Sequence, residues 1–379
     1  MIRQPILLIA ALLFISLSSC DDENQEPQLQ IPNTYSFERN GQSSVNYAGQ
    51  LTRRDMLSAI KSEVSKGDKG EEVSSQVLLN MFANENDPFA SQDLNTSGKE
   101  LEDKTFLADV QWFKDLFLET ENMSKAYVAN PTEAADGVAG RIERGTSGKF
   151  ILVNEKGWEY TQFIEKGLMG AVFLHQIYNT YLTDNRIGND VENTDMVEGK
   201  NYTPLEHHWD EAFGYYGAPA DFPRDDDDKY WAKYAGPALG TTPEQLDIYG
   251  ALEDAFITGR AAIAAGDMAI KNEQRDALYK QLELAAAAAS LHYINNAKAD
   301  LSANDMGSLF HHLSEAYNFT MALKYHPQKK ISQNDIDAIL NTDYGTDGDF
   351  WTVSVTSLND AMAKLIAAYP ELDNVKDIL

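Results

Sequence analysis

Leu174-His175-Gln176-Ile177-Tyr178-Asn179 returns in the second half of the chain as Leu291-His292-Tyr293-Ile294-Asn295-Asn296. His207-His208-Trp209-Asp210-Glu211-Ala212-Phe213 returns as His311-His312-Leu313-Ser314-Glu315-Ala316-Tyr317. The chain holds seven histidines, and six of them occupy these matched positions. Two motifs repeated in the same order indicate that one helical unit was duplicated. The reading of the whole fold follows from that.

The stretches around the repeats have helical periodicity. Phe106, Val110, Phe113 and Phe117 recur at steps of four, three and four, which predicts a helix over about 104–128. Residues 157–183 are apolar on several faces and predict a buried helix. Gly167, Gly170 and Ala171 lie within it and would admit a close neighbour; the run Ala285–Ala289 falls at the same place in the second copy, inside a helix predicted over 271–299. Further helices are predicted over 52–66, 73–85, 243–265, 304–325, 333–341 and 356–369. Phe150–Val153, after Ser147-Gly148, reads as one strand of a small hairpin with residues near 138–143. The expected fold is all-α: two duplicated helical bundles, 35–216 and 243–379, joined by a Pro- and Gly-rich link over 217–242, with a minor β-hairpin.

The amino terminus reads as a targeting segment. Arg3 precedes an apolar run, Ile6 to Leu17, that is too short to span a bilayer and fits a signal peptide over 1–19. It ends in Leu17-Ser18-Ser19-Cys20, the pattern of a bacterial lipobox, so Cys20 is the expected lipidation site. Cys20 is also the sole cysteine, which excludes a disulfide within the chain and a cysteine-rich metal site. Residues 20–34 then read as an acidic tether, similar to the export signal of surface-displayed lipoproteins of Bacteroidetes. A net charge of −28 argues against nucleic acid and anionic headgroups as partners. The lipid is the expected link to the membrane, which places the protein at the outer membrane, on its surface or periplasmic face.

The repeated motifs supply the chemistry. On a helix, residues three and four apart share a face, so His207 and His208 can both reach Glu211, and His311 and His312 can both reach Glu315. Leu205, Trp209, Ala212 and Tyr216 mark the apolar line of the first motif helix, and Leu309, Leu313, Ala316 and Thr320 that of the second. His208 and His312 lie about 80° from those lines at 100° per residue, beside the core and not within it. Imidazole with carboxylate suits a divalent metal, zinc or iron, and His207, His208, Glu211, His311, His312 and Glu315 are the candidate ligands. Histidines that only satisfy internal hydrogen bonds are the alternative. No Glu stands three residues before a His, and neither His-Glu-x-x-His nor Gly-x-Ser-x-Gly is present. No catalytic residue is assigned. The four carboxylates Asp225–Asp228 read as a solvated loop, and the calcium-like run from Asp343 has Ser354 where a bidentate Glu is needed.

Glu206-x-His208-x-x-Glu211 resembles the Gly-x-His-x-x-Glu signature of the imelysin-like proteins, which are helical, bilobed and extracytoplasmic. Phe163 to Ala171, His208 to Tyr215 and Ser314 to Tyr317 resemble a Bacteroidetes lipoprotein family of unknown function related to them. The glycine of the signature is Glu206 in the first copy and Phe310 in the second. The resemblance implies a role in iron uptake by binding a metal, a metal chelate or an outer-membrane iron-uptake receptor. It also carries two alternatives: a metallopeptidase, or an interaction module with purely structural histidines.

Overall fold

The computed structural model describes residues 29–221, 228–236 and 245–379. The expected signal peptide, Cys20 and most of the acidic tether lie outside the described residues, as do Asp225–Asp227.

The fold is predominantly α-helical. The β structure among the described residues is two antiparallel hairpins: β1 (Glu38–Arg39) with β2 (Gln42–Ser43), and β3 (Gly140–Arg144) with β4 (Lys149–Val153). The second pair is the predicted hairpin. Its tight turn rests on Gly145 and Gly148, at φ 59° and 71°, where a side chain would be strained.

One long helix organises the molecule. It runs as α5 (Tyr160–Leu168) and continues through two π-helical turns, Met169–Leu174 and Ile177–Tyr181. Every residue from Tyr160 to Leu174 is buried, as an apolar pattern on all faces requires. The small residues have the predicted use. A Cβ on Gly167 would lie 2.9 Å from the ring of Phe113 and 3.0 Å from Asn318 Oδ1; one on Gly170 would lie 2.9 Å from the ring of Tyr325 and 3.1 Å from Ala322 Cβ. π turns leave main-chain groups without their usual helical partners. Here Trp231 Nε1 donates to the Met169 carbonyl at 2.9 Å and the Phe106 amide to that of Ala171 at 2.8 Å.

The motif helices α7 (Pro204–Tyr216) and α11 (Met306–Ala322) both pack on this long helix. α7 lies along 177–181, and α11 lies along α5. The counterpart of the long helix in the second copy is α10 (Met268–Ala303), which packs along α11 and along α9 (Ile248–Ala265). Gly266, at φ 77°, ends α9, and Asp267 caps α10, at the predicted break. Ala285–Ala289 are fully buried, and so are the two predicted apolar lines of the motif helices. Buried side chains from both sides of the link form one continuous core.

Helix α1 (Ala48–Val64) covers the outer side of α5 and α7. A short helix, α8 (Tyr230–Ala235), stands within the stretch read as a link; Trp231 and Tyr234 bury it against the core. No helix among the described residues is long and apolar enough to cross a membrane.

Candidate functional site

The first motif helix opens with a capping box. Thr203 Oγ1 accepts from the Glu206 amide at 3.2 Å, and Glu206 Oε2 accepts from the Thr203 amide at 2.9 Å, with Pro204 at the first helical position. The same carboxylate takes two donors from Arg39, at 2.9 and 3.0 Å, and Arg260 Nη1 at 2.9 Å. Arg260 Nε donates to Asp210 at 2.9 Å, and Asp210 also accepts from the Tyr35 hydroxyl at 2.7 Å and the Asn46 amide at 3.0 Å. Arg260 and Asp210 are fully buried. Two guanidinium groups thus balance two carboxylates, which a buried charge set requires. This network ties residues 35–46 and α9 to the inner face of α7.

The histidines lie on the other face. His207 Nδ1 donates to the Asn46 carbonyl at 2.9 Å, and its ring stacks on Tyr202 with centroids 4.5 Å apart. Its Nε2 is 3.8 Å from Glu211, and His208 Nδ1 is 3.2 Å from the other oxygen of that carboxylate. Gln50 adds a donor to Glu211 at 3.1 Å. Burial works to raise the Glu211 pKa, but the His208 hydrogen bond and the neighbouring His207 outweigh it and hold the carboxyl below its usual range.

The second copy is wired differently. His312 Nδ1 turns to Asp300 on α10 at 2.5 Å, away from Glu315. His311 Nδ1 meets Glu159 at 2.6 Å, and its Nε2 lies 3.5 Å from Glu315. Glu315 faces buried Lys166 at 3.6 Å, and Lys166 pairs with Glu165 at 2.7 Å. Burial pushes the Glu159 carboxyl up to about 7 and the His311 imidazole down to about 3. A proton thus lies between the two, carried by Glu159, and leaves as pH rises through neutrality.

No hydrogen bond or ion pair among the described residues joins the two motif sets. Nor do any three His, Cys, Asp or Glu side chains among them form a group that could hold a metal ion. His175 and His292 do not supply a further ligand to either set. Each takes a hydrogen bond from the asparagine four residues on, Asn179 at 3.3 Å and Asn296 at 3.0 Å. The Leu-His repeat thus copies one intrahelical side-chain pair. Asp343, first residue of the calcium-like run, is paired with Lys364 at 2.7 Å.

The seventh histidine, outside the repeats, lines a cavity. His326 follows α11, and with Leu182 and Thr183 at the end of the long helix and Arg275, Tyr279 and Lys280 of α10 it borders about 530 Å³. This is the seam where the first copy meets the second. The ring is packed edge-on against Tyr178 and Tyr279, with centroids 4.8 and 5.3 Å away. His326 Nδ1 accepts from the Gln328 amide at 3.0 Å, so the neutral ring carries its proton on Nε2. Burial pushes its pKa down to about 4 and keeps it neutral. That Nε2–H is buried without a partner among the described residues, and so is the Tyr178 hydroxyl.

A family model described as a domain of unknown function, DUF4856, matches residues 32–369. The chain belongs to this family. No curated protein and no solved structure matches it. The match covers nearly all the described residues, so both motif helices, the long helix and the His326 cavity are parts of the family domain.

Periodicity and repeats did not point to His326, Arg260, Glu206 or Asp210. Three signals were available. Arg260 is a lone charge in Gly259-Arg260-Ala261-Ala262-Ile263. Thr203-Pro204-Leu205-Glu206 is a capping box by spacing. His326 is the one histidine without a counterpart.

Proposed function

We propose that this DUF4856 chain is a non-catalytic binding protein of the cell envelope, held by lipid on Cys20, and that it captures an acceptor-rich small molecule in the cavity beside His326. The supporting observation is the cavity of about 530 Å³ at that seam, bordered by Arg275 and Lys280 and by a neutral imidazole whose buried Nε2–H has no partner among the described residues. That N–H presents no surface to the cavity as the ring now stands, so a ligand oxygen would meet it when the ring turns, recovering the cost of an unmade donor, about 1–3 kcal/mol. Lys280 stands exposed on the same wall without an ion pair among the described residues, and Arg275 is held in place by Asp184 at 2.7 Å. A ligand carrying carboxylate or carbonyl oxygens suits these groups.

The tie to the imelysin-like proteins, and with it to iron uptake through an outer-membrane receptor, belongs to the same proposal. It is supported by Glu206-x-His208-x-x-Glu211, by Leu17–Cys20 and by the acidic residues after it. A metal chelate reconciles this with the geometry. Its metal arrives already coordinated, so the protein needs donors and cations and not imidazole ligands. A metallopeptidase would require three protein ligands and an open position on the metal, and the motif side chains are engaged with other partners.

The test is ligand-observed NMR with carboxylate- and carbonyl-bearing compounds, ferric citrate included, on the wild type and on His326→Phe and Lys280→Ala. The substitution to Phe keeps the ring packing and removes the donor. Binders that weaken about tenfold or more in His326→Phe support the proposal. Binders indifferent to both substitutions, or no binders at all, overturn it.

A further inference from the structure

A second cavity, of about 290 Å³, lies between α1, α5 and α8, and it is cationic in a chain with a net charge of −28. Arg54, Lys61, Lys166, Lys229 and Lys233 line it, against the carboxylates of Asp55 and Glu165. Three of the five cations are committed. Arg54 donates to the carbonyl oxygens of Gly214 and Gly217 at 3.3 and 3.0 Å. Lys61 and Lys166 both hold Glu165, at 2.8 and 2.7 Å.

Lys229 and Lys233 differ. Among the described residues neither side chain has an ion pair or a hydrogen bond, and both are exposed at the cavity rim. Lys229 stands in extended backbone just before α8 and Lys233 within it, and both border the same cavity. Tyr230, between them, takes φ 51°, a conformation rare for an aromatic residue, and its hydroxyl donates to the Arg54 carbonyl at 2.5 Å. The backbone is thus held in an unfavourable state that fixes α8, and with it both lysines, beside the committed cations.

We infer that this cavity is a binding site for a phosphate-class oxyanion, with Lys229 and Lys233 as its direct contacts and Lys61 and Lys166 keeping Glu165 neutralised behind them. The donor type selects the class. Ammonium groups act as point charges that several oxygens of a tetrahedral dianion can satisfy together, whereas a planar carboxylate is best matched by a guanidinium fork; the one guanidinium in the lining is occupied by main-chain oxygens. The volume admits a phosphomonoester as well as the free ion.

Calorimetric titration of inorganic phosphate and of glycerol 3-phosphate into the full chain tests the site, with acetate as the planar comparator. Saturable phosphate binding is expected, stronger than acetate, weakened by salt, and reduced tenfold or more in the double variant Lys229→Ala/Lys233→Ala. Both lysines are exposed, so that variant should fold, and circular dichroism checks it. Lys149→Ala, which removes one exposed positive charge outside both cavities, is expected to leave phosphate affinity unchanged. Binding only of the ester assigns the site to a phosphorylated small molecule within the same class. Absence of saturable binding by either compound, or equal affinity in the double variant, overturns the inference.

Discussion

The two motif helices carry matched sequences and hold the protein together in different ways. At equivalent positions α7 has Glu206, Asp210 and Glu211 where α11 has Phe310, Ser314 and Glu315. On α7 the charge lies inside: Glu206 and Asp210 face the fully buried Arg260, while Glu211, its side chain 16% exposed, serves two imidazoles near the surface. On α11 the inner positions carry no charge. Phe310 packs edge-on against Trp351 with centroids 4.5 Å apart, and Ser314 accepts from the Glu159 amide at 3.0 Å. Glu315, with a side chain 7% exposed, has instead become the partner of a buried lysine. The repeat puts His and Glu at matched positions; the surroundings decide what each carboxylate neutralises. A matched motif is therefore weak evidence for a matched site.

The largest expected difference between the copies is at the inner face. Arg260→Met should leave buried Asp210 without a cation, Glu206 keeping Arg39, and cost about 3–5 kcal/mol in urea unfolding, whereas Ser314→Ala should cost about 1 kcal/mol. Comparable losses would break the contrast. Next come the carboxylates themselves: Glu315→Ala should cost about 2–4 kcal/mol, since Lys166 keeps only Glu165, and Glu211→Ala about 1 kcal/mol. The reverse order would put the structural weight on the first copy.

A pH series sharpens the second copy further. Burial raises the Glu159 carboxyl to about 7, against about 4.3 in an unfolded chain, so the folded state binds the extra proton between those values. Its contribution to stability is full below the unfolded pKa and is lost as pH rises through about 7. His311 and His326, pushed down to about 3 and about 4, act oppositely and make stability rise up to about 6.5. Glu159→Gln should therefore lose less stability than the wild type between pH 5 and 8, by on the order of 1–3 kcal/mol; identical pH profiles would refute the account of a protonated Glu159. The smallest effect is at the Leu-His pairs. Asn296→Ala should cost about 0.5–1 kcal/mol through the lost bond to His292, and Asn179→Ala about 1–2 kcal/mol, because Asn179 also donates to the Tyr325 carbonyl at 2.8 Å; equal losses would show that this second bond adds nothing.

Much of this arrangement could be read from the residues. Phe106 to Phe117, the apolar lines of the two motif helices and the small residues at Gly167–Gly170 carry periodicity or volume, and these are local properties that survive without coordinates. The Ala265-Gly266-Asp267 break was legible because a left-handed cap needs glycine. The π turns over Met169–Tyr181 were not, since an all-buried apolar run has no face that shows one residue too many. The partners of His311 and His312 were also hidden: Glu159 and Asp300 lie 152 and 12 residues away in sequence. The spacing set the candidate His/Glu pairs correctly for His208 and Glu211, and it could not show that Lys166 would compete for Glu315. The His326 cavity depends on three segments meeting, which no window along the chain contains.

Ligand capture, as proposed, belongs to the seam beside His326, and the paired motifs act as internal fasteners. The most direct test is to screen the same compounds and zinc, iron and copper ions by ligand-observed NMR and calorimetry against His326→Phe and His208→Ala/His312→Ala side by side. Binding lost in His326→Phe and retained in the double motif variant is the predicted result. Binding retained in His326→Phe and lost in the motif variant, or saturable metal binding that depends on His208 and His312, would contradict it.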